Sequence, residues 1–173
     1  MAIYRSVHLS FWTDNKVEDD FTPEDKFFYL YLLTNPQTNI CGCYEVSYSS
    51  MCRHTGYDKN TIIRLIKRFQ DVHKMIVFNE ETKELLILHW YKYNWSESEK
   101  TLVGVESVAR YIKYDKFKKY ILNIVNDIRA GKIKKDSNDT KEESKPVKSK
   151  NKFNNFHQRE YNFDEIEKTL IAK

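Results

Sequence analysis

The stretch GYDKNTIIRLIKRFQDVHK, Gly56 to Lys74, decides the fold. Gly56 supplies the permissive backbone that a tight turn wants, and Asp58 is placed to cap a helix running to about Val72. Inside that helix Ile62, Leu65, Ile66 and Phe69 stand at i, i+3, i+4 and i+7, which makes one apolar stripe for a core. At roughly 100° per residue the opposite side collects Asn60, Ile63, Arg64 and Lys67. Lys59 opens the helix, Lys74 lies beyond it, and Thr61 and Arg68 stand at the flanks.

Reading outward from this helix supplies the rest of the domain. Upstream, Ser49 to Thr55 suits a shorter helix and CYEVSY alternates as a strand. Further back, Thr22 reads as an N-cap with Pro23 at the first helical position and Asp25 in the opening turn. Phe27, Leu30, Tyr31 and Thr34 recur there at helical spacing, and Pro36 ends the helix. Downstream, IVFNEETKELLILHWY gives two β-rich runs around NEETKE, a hairpin, and two more helical patterns cover roughly 99–112 and 114–129. The order helix, strand, helix, turn, helix, hairpin predicts a winged helix-turn-helix: a mainly α fold with a small β component and appended C-terminal helices.

The predicted organisation is a folded part over 1–130, a flexible basic linker over 131–151 and a tail over 152–173. The linker, GKIKKDSNDTKEESKPVKSKN, holds no aromatic residue and only Ile133 and Val147 as large aliphatics, too few to offset the entropy of ordering. A coil of this length reaches roughly 25 Å. Phe153, Phe156, Tyr161 and Phe163 crowd the tail around Arg159. Asp164 can cap a short helix with Glu167 three residues on, leaving Ile166 and Leu170 on one face. The expectation is a tethered partner-docking peptide; the alternative is a tail that folds back on its own domain.

With 173 residues, 40% apolar and 31% charged, and only 4 Gly and 3 Pro, the chain has the composition of a helix-rich globular domain. No apolar run approaches the roughly 18 residues of a membrane span, and MAIYRSVHLSFW lacks the layout of a signal peptide. A cytoplasmic protein is therefore expected, and its three cysteines, odd in number and in a reducing compartment, read as free thiols. The net charge of +4 is unevenly spread: residues 1–95 carry 11 Lys and Arg against 12 Asp and Glu, yet residues 53–74 carry six basic residues against two acidic. A local positive field on a neutral body suits a protein that turns one face to a polyanion.

The face of the third helix has the chemistry of duplex-DNA contact. Asn pairs bidentately with adenine and Arg with guanine, Ile63 can touch a thymine methyl, and Lys67, Arg68 and Thr61 suit phosphates. Lys83, placed at the wing tip, can reach a further phosphate, although a lone lysine in a turn is more often only solvated. The plain alternative is that Arg64, Lys67 and Arg68 only solvate an exposed helix. The preceding glycine turn, the Asp58 cap and the following hairpin favour DNA.

Two stretches outside this region carry a family resemblance: FWTD, Phe11 to Asp14, and FTPEDKFFYLYLLTNPQTNICGCYEVS, Phe21 to Ser47. They resemble the N-terminal domain of phage replisome organisers and DnaD-like primosome proteins of Gram-positive bacteria and their phages. The tail NNFHQREYNFDEIEKTLI, Asn154 to Ile171, is similar to the short terminal motif of such phage replication proteins. The resemblance covers residues 1–95 strongly, 96–130 weakly and 154–171 well. It implies a replication-initiation protein that binds double-stranded origin DNA and recruits a helicase loader or replicative helicase. The 96–130 region is much shorter than the family's helical C-terminal domain, so that domain's activities do not carry over. A winged-helix transcriptional regulator is the alternative, and a homo-oligomer stays open.

Other constellations are set aside. Cys41-Gly42-Cys43 with Cys52-Arg53-His54 offers zinc-type donors, but a one-residue gap splays ligands across a strand, and buried thiols are expected instead. His8, His54, His73, His89 and His157 are scattered, and no phosphate-cradling glycine loop occurs. No catalytic residue, metal ligand or cofactor is therefore assigned, and a non-enzyme is expected. Asp19, Asp20, Glu24 and Asp25 read as a solvated loop and helix start. Trp12, Trp90 and Trp95 read as core aromatics more than as platforms for unpaired bases.

Overall fold

Thr22 and Asp25 begin the first helix with a reciprocal cap. In the computed structural model, which describes residues 5–133, α1 spans Pro23–Thr34. Thr22 Oγ1 accepts from the Asp25 backbone N–H at 3.2 Å, and the Asp25 carboxylate accepts from Thr22 N and Oγ1 at 2.9 and 2.7 Å. The helix ends where expected, with Asn35 ahead of Pro36 closing on the Tyr31 carbonyl. Its buried face differs from the expected one. Asp25, Phe28, Tyr29 and Leu32 point inward, whereas Phe27 and Thr34 are exposed and Leu30 and Tyr31 half-buried. The run FFYLYLL is apolar all round, so its spacing does not fix the rotation. Rotation follows from Asp25, whose carboxylate meets partners on another helix. The acidic cluster accordingly splits: Asp19 and Asp20 are exposed and Asp25 is fully buried.

Strand β1, Cys43–Glu45, leads to α2, Tyr48–Thr55, capped by Ser47 Oγ accepting from Ser50 N at 3.1 Å. Gly56 closes α2 at φ +78°, a left-handed position that favours glycine. Asp58 then caps α3, Lys59–Asp71, accepting from Asn60 N and Thr61 N at 2.8 and 3.1 Å. Ile62, Leu65, Ile66 and Phe69 are buried as their spacing predicts. Phe69 meets Tyr29 at 5.5 Å, Phe28 at 5.8 Å and Phe21 at 5.3 Å between ring centroids, so α1 and α3 share an aromatic core.

The hairpin forms from β2, Ile76–Asn79, and β3, Glu84–Ile87. With β1 it makes a three-stranded antiparallel sheet in the order β1-β3-β2, with Tyr44 opposite Leu85 and Val77 opposite Leu86. The central strand is buried at every residue, so it shows no alternation, whereas β2 keeps an exposed Val77. The described chain is thus mainly helical with one small sheet.

Beyond Ile87 the structure corrects the expected strand over LHWY. Leu88 still donates to the Met75 carbonyl, but His89 turns at φ +59° and α4 covers Trp90–Asn94. Trp90 is the cause. Its ring lies on Gly42, φ +67°, so closely that a Cβ there would sit 2.3 Å from Trp90 Cγ. The indole N–H groups of Trp90 and Trp95 both donate to the Ile40 carbonyl, at 2.9 and 2.6 Å. Short 3-10 and π-helical turns at Leu9–Phe11 and Lys16–Asp20 also lay outside the expected elements.

The last helices are α5, Glu99–Ala109, and α6, Asp115–Arg129, close to the expected ranges. Arg129 on α6 binds Glu99 and Glu106 on α5. The start of α6 has no side-chain cap, and Glu84 on β3 instead holds the turn that leads into it. Its buried carboxylate accepts from Lys113 N at 2.7 Å and Tyr114 N at 2.8 Å, and from Thr82 Oγ1 at 3.0 Å. Among the described residues, no helix is long and apolar enough to cross a membrane. The expectations for 134–173, most of the linker and all of the tail from Phe153 to Leu170, lie outside the described residues.

Glu84→Ala removes the acceptor for these two N–H groups and leaves a hole at the end of the central strand, with an expected loss of about 2 kcal/mol. Urea unfolding measures this directly. A loss under about 0.5 kcal/mol would show that water replaces the carboxylate without cost.

Candidate nucleic-acid interface

The outward side of α3 carries the residues that the helical spacing placed there. Lys59, Asn60, Arg64 and Lys67 are exposed, as is Lys74, which stands just past the helix at φ +53°. Thr61, Ile63, Arg68 and Lys83 are half-buried. The inward stripe fixes this rotation, and the Asp58 cap fixes where the first turn begins.

Several of these side chains have intramolecular partners that spacing did not reveal. Thr61 donates its hydroxyl to Asp58 at 2.6 Å and so completes the cap; this bond and the backbone donors hold the Asp58 carboxyl below its ordinary pKa. Arg64 Nη2 donates to both carboxylate oxygens of Glu24 on α1, at 2.9 and 2.8 Å. One turn later, Arg68 Nη2 lies 3.0 Å from Oδ2 of the buried Asp25. Arg68 is two-thirds covered and serves the α1–α3 contact as well as the surface.

Lys83 is not at the outermost point of the hairpin. It occupies φ +57°, and its carbonyl accepts from Val46 N, while Glu80 and Glu81 form the exposed tip. Its ammonium lies 5.4 Å from the Tyr48 ring, and Lys59 approaches the same ring at 5.9 Å. Tyr48 donates to Glu80 at 3.0 Å; burial, followed by that carboxylate, pushes its phenol up to about 12. The start of α3 and the hairpin turn thus bring two lysines together over one neutral ring. The local sequence pattern did not single out Tyr48, because its role rests on contacts eleven and thirty-five residues away.

The buried end of α3 holds a second unanticipated group. His73 is buried, its ring tilted against Phe21 at 4.5 Å and Phe69 at 5.0 Å, and 3.7 Å from Asp25 Oδ2. Arg68 Nε donates to His73 Nε2 at 3.3 Å, which requires a neutral imidazole with its proton on Nδ1. The Lys16 ammonium donates to the His73 carbonyl. Burial lowers the His73 pKa, Asp25 opposes the shift, and Arg68 and Lys16 reinforce it.

The remaining candidates sort by burial. Trp90 and Trp95 are core residues; Trp12 is exposed against Phe11. Cys41 and Cys43 are buried and Cys52 is half-buried. Burial pushes the Cys41 thiol up to about 12, and it donates to the Val105 carbonyl at 3.3 Å. Among the described residues, no group of three or more His, Cys, Asp or Glu side chains is arranged to hold a metal.

The depressed His73 pKa has a signed consequence. Below about pH 6.5 the unfolded chain protonates this imidazole while the folded one resists, so stability is full above that pH and falls towards the lower folded value. His73→Gln keeps an acceptor for Arg68 and does not titrate. Between pH 7 and 5 the wild-type chain should therefore lose stability more steeply than the variant, by up to about 1.4 kcal/mol per pH unit. Parallel slopes would mean that His73 titrates normally.

No family model, curated protein or solved structure matches this chain.

Proposed function

We propose that this chain is a DNA-binding protein without catalytic activity, and that α1 to α3 with the sheet act as a winged helix-turn-helix. In this reading α2, the Gly56 turn and α3 are the helix-turn-helix and the β2–β3 hairpin is the wing. The observation that carries it is the outward face of α3. Asn60, Arg64 and Lys67 lie on adjacent turns of one exposed strip, with Lys59 and Lys74 at its ends and only Asp71 as an exposed acid within the helix. Asn and Arg are the side chains that read base edges bidentately, and lysines at the periphery neutralise phosphates.

The reading refines the role of each residue. Asn60 and Arg64 face bases, with Ile63 half-covered beside them; Lys59, Lys67 and Lys74 take phosphates. Lys83 acts with Lys59 beside Tyr48, because Glu80 and Glu81 would repel phosphate from the wing tip. Thr61 serves the cap, and Arg68 positions α3 through Asp25.

The resemblance to replisome organisers and DnaD-like proteins extends this to initiation of replication. A cytoplasmic protein would hold duplex origin DNA with its folded part and recruit a helicase loader or replicative helicase through residues 152–173. In that arrangement, a chain ending at residue 130 keeps DNA affinity and loses recruitment in a pull-down.

Arg64→Ala should cost about 1–3 kcal/mol at a preferred site and relax the preference at one position. Lys67→Ala should weaken all sequences alike and flatten the salt dependence by about one unit of slope. The check is fluorescence anisotropy over a range of salt. A folded Lys59→Ala, Lys67→Ala, Lys74→Ala triple variant that binds as the wild type does would overturn this face.

A further inference from the structure

The first turn of α1 offers adjacent carboxylates to two arginines one turn apart on α3, and the two pairs differ in kind. Asp25 with Arg68 is sealed: the carboxylate side chain is 0% exposed. Glu24 with Arg64 lies at the surface, with 32% and 54% of the side chains exposed. An exposed pair contributes little to stability and exchanges readily. It sits, however, on the proposed reading face.

Its geometry determines what can replace Glu24. A single nitrogen, Arg64 Nη2, donates to both oxygens of Glu24. A guanidinium grips a base edge or phosphate through two parallel N–H groups, using either the Nη1/Nη2 edge or the Nε/Nη2 edge. Both edges include Nη2. Each edge uses a different N–H of Nη2, so Glu24 competes directly with one of the two bidentate contacts and sets its charge beside the other. Arg68, one turn further along α3, is held by Asp25 and is not free to take over the displaced carboxylate.

We propose that Glu24 is a specificity-determining residue of the α3 face, a built-in carboxylate competitor that a nucleic-acid acceptor must displace from Arg64. The inference rests on the duplex-DNA reading above. A phosphate taking Arg64 replaces one anion by another and leaves Glu24 unpaired beside a polyanion, so the exchange gains little. A guanine edge is neutral, supplies two acceptors to the same fork and does not repel the freed carboxylate. Glu24 thus penalises loose phosphate contacts more than base contacts and widens the gap between preferred and random DNA. Glu24→Gln keeps the side-chain shape and weakens the hold on Arg64.

The test measures anisotropy of the full chain on a short mixed-sequence duplex for wild type, Glu24→Gln, Arg64→Ala and the double variant, with circular dichroism melts as a check of folding. Glu24→Gln should bind this random duplex about 5-fold more tightly at about 0.1 M salt, with a salt slope steeper by about one unit. In the Arg64→Ala background the same change should alter affinity by less than about 2-fold. Glu24→Ala should reproduce both results without leaving an acceptor. An unchanged affinity, or an equal gain with Arg64 absent, would overturn the proposal, the second outcome reducing Glu24 to bulk charge. A wild-type chain that shows no salt-dependent binding would remove the DNA reading and this inference together.

Discussion

The buried pair between Asp25 and Arg68 is the constraint on which the rest of the structure depends. A carboxylate taken fully out of water is costly unless it is paired, and here Oδ2 receives Arg68 together with the backbone N–H and hydroxyl of Thr22 while Oδ1 is buried without a hydrogen-bond partner. One residue thus starts α1, sets its rotation and locks it to α3. His73 fits in the same place because Arg68 donates to it, so the end of α3 is tied to the start of α1. Apolar packing alone would let the featureless FFYLYLL surface slip around its axis. The ion pair removes that freedom and fixes which side of α1 meets α3.

A second set of contacts ties the C-terminal helices to the sheet. Glu84, in the central strand, holds the turn before α6, and the Ile40 carbonyl receives both Trp90 and Trp95 over Gly42. Both devices satisfy buried polar groups with partners far away in sequence. The outward face of α3 takes no part in either device, and α3 meets β2, where the Gln70 side-chain carbonyl accepts from Phe78 N.

What was legible in the sequence was local. The cap residues Thr22 and Asp58, the left-handed Gly56, and the stripe Ile62, Leu65, Ile66 and Phe69 depend on neighbours within a turn or two, and each stands in the structure as its spacing requires. The facing of α1 was not legible, because all its sides are apolar and a partner on α3 decides. The α4 turn was not legible, because Trp90 reads as a strand residue until Gly42 is known to receive it. The partners of Arg64 and of Lys83 are likewise non-local: Glu24 is 40 residues from Arg64, and no helical or strand period joins them. Residue types on the candidate face were therefore readable, while their engagement was not.

The central claim is that the outward side of α3 meets duplex DNA. Amide chemical-shift mapping of the labelled full chain during titration with a duplex tests it most directly. The account predicts that salt-sensitive shifts concentrate at the Gly56 turn and along 59–67 and 74, with α5 and α6 unmoved. Shifts confined to α5 and α6, or none at low salt, would contradict it.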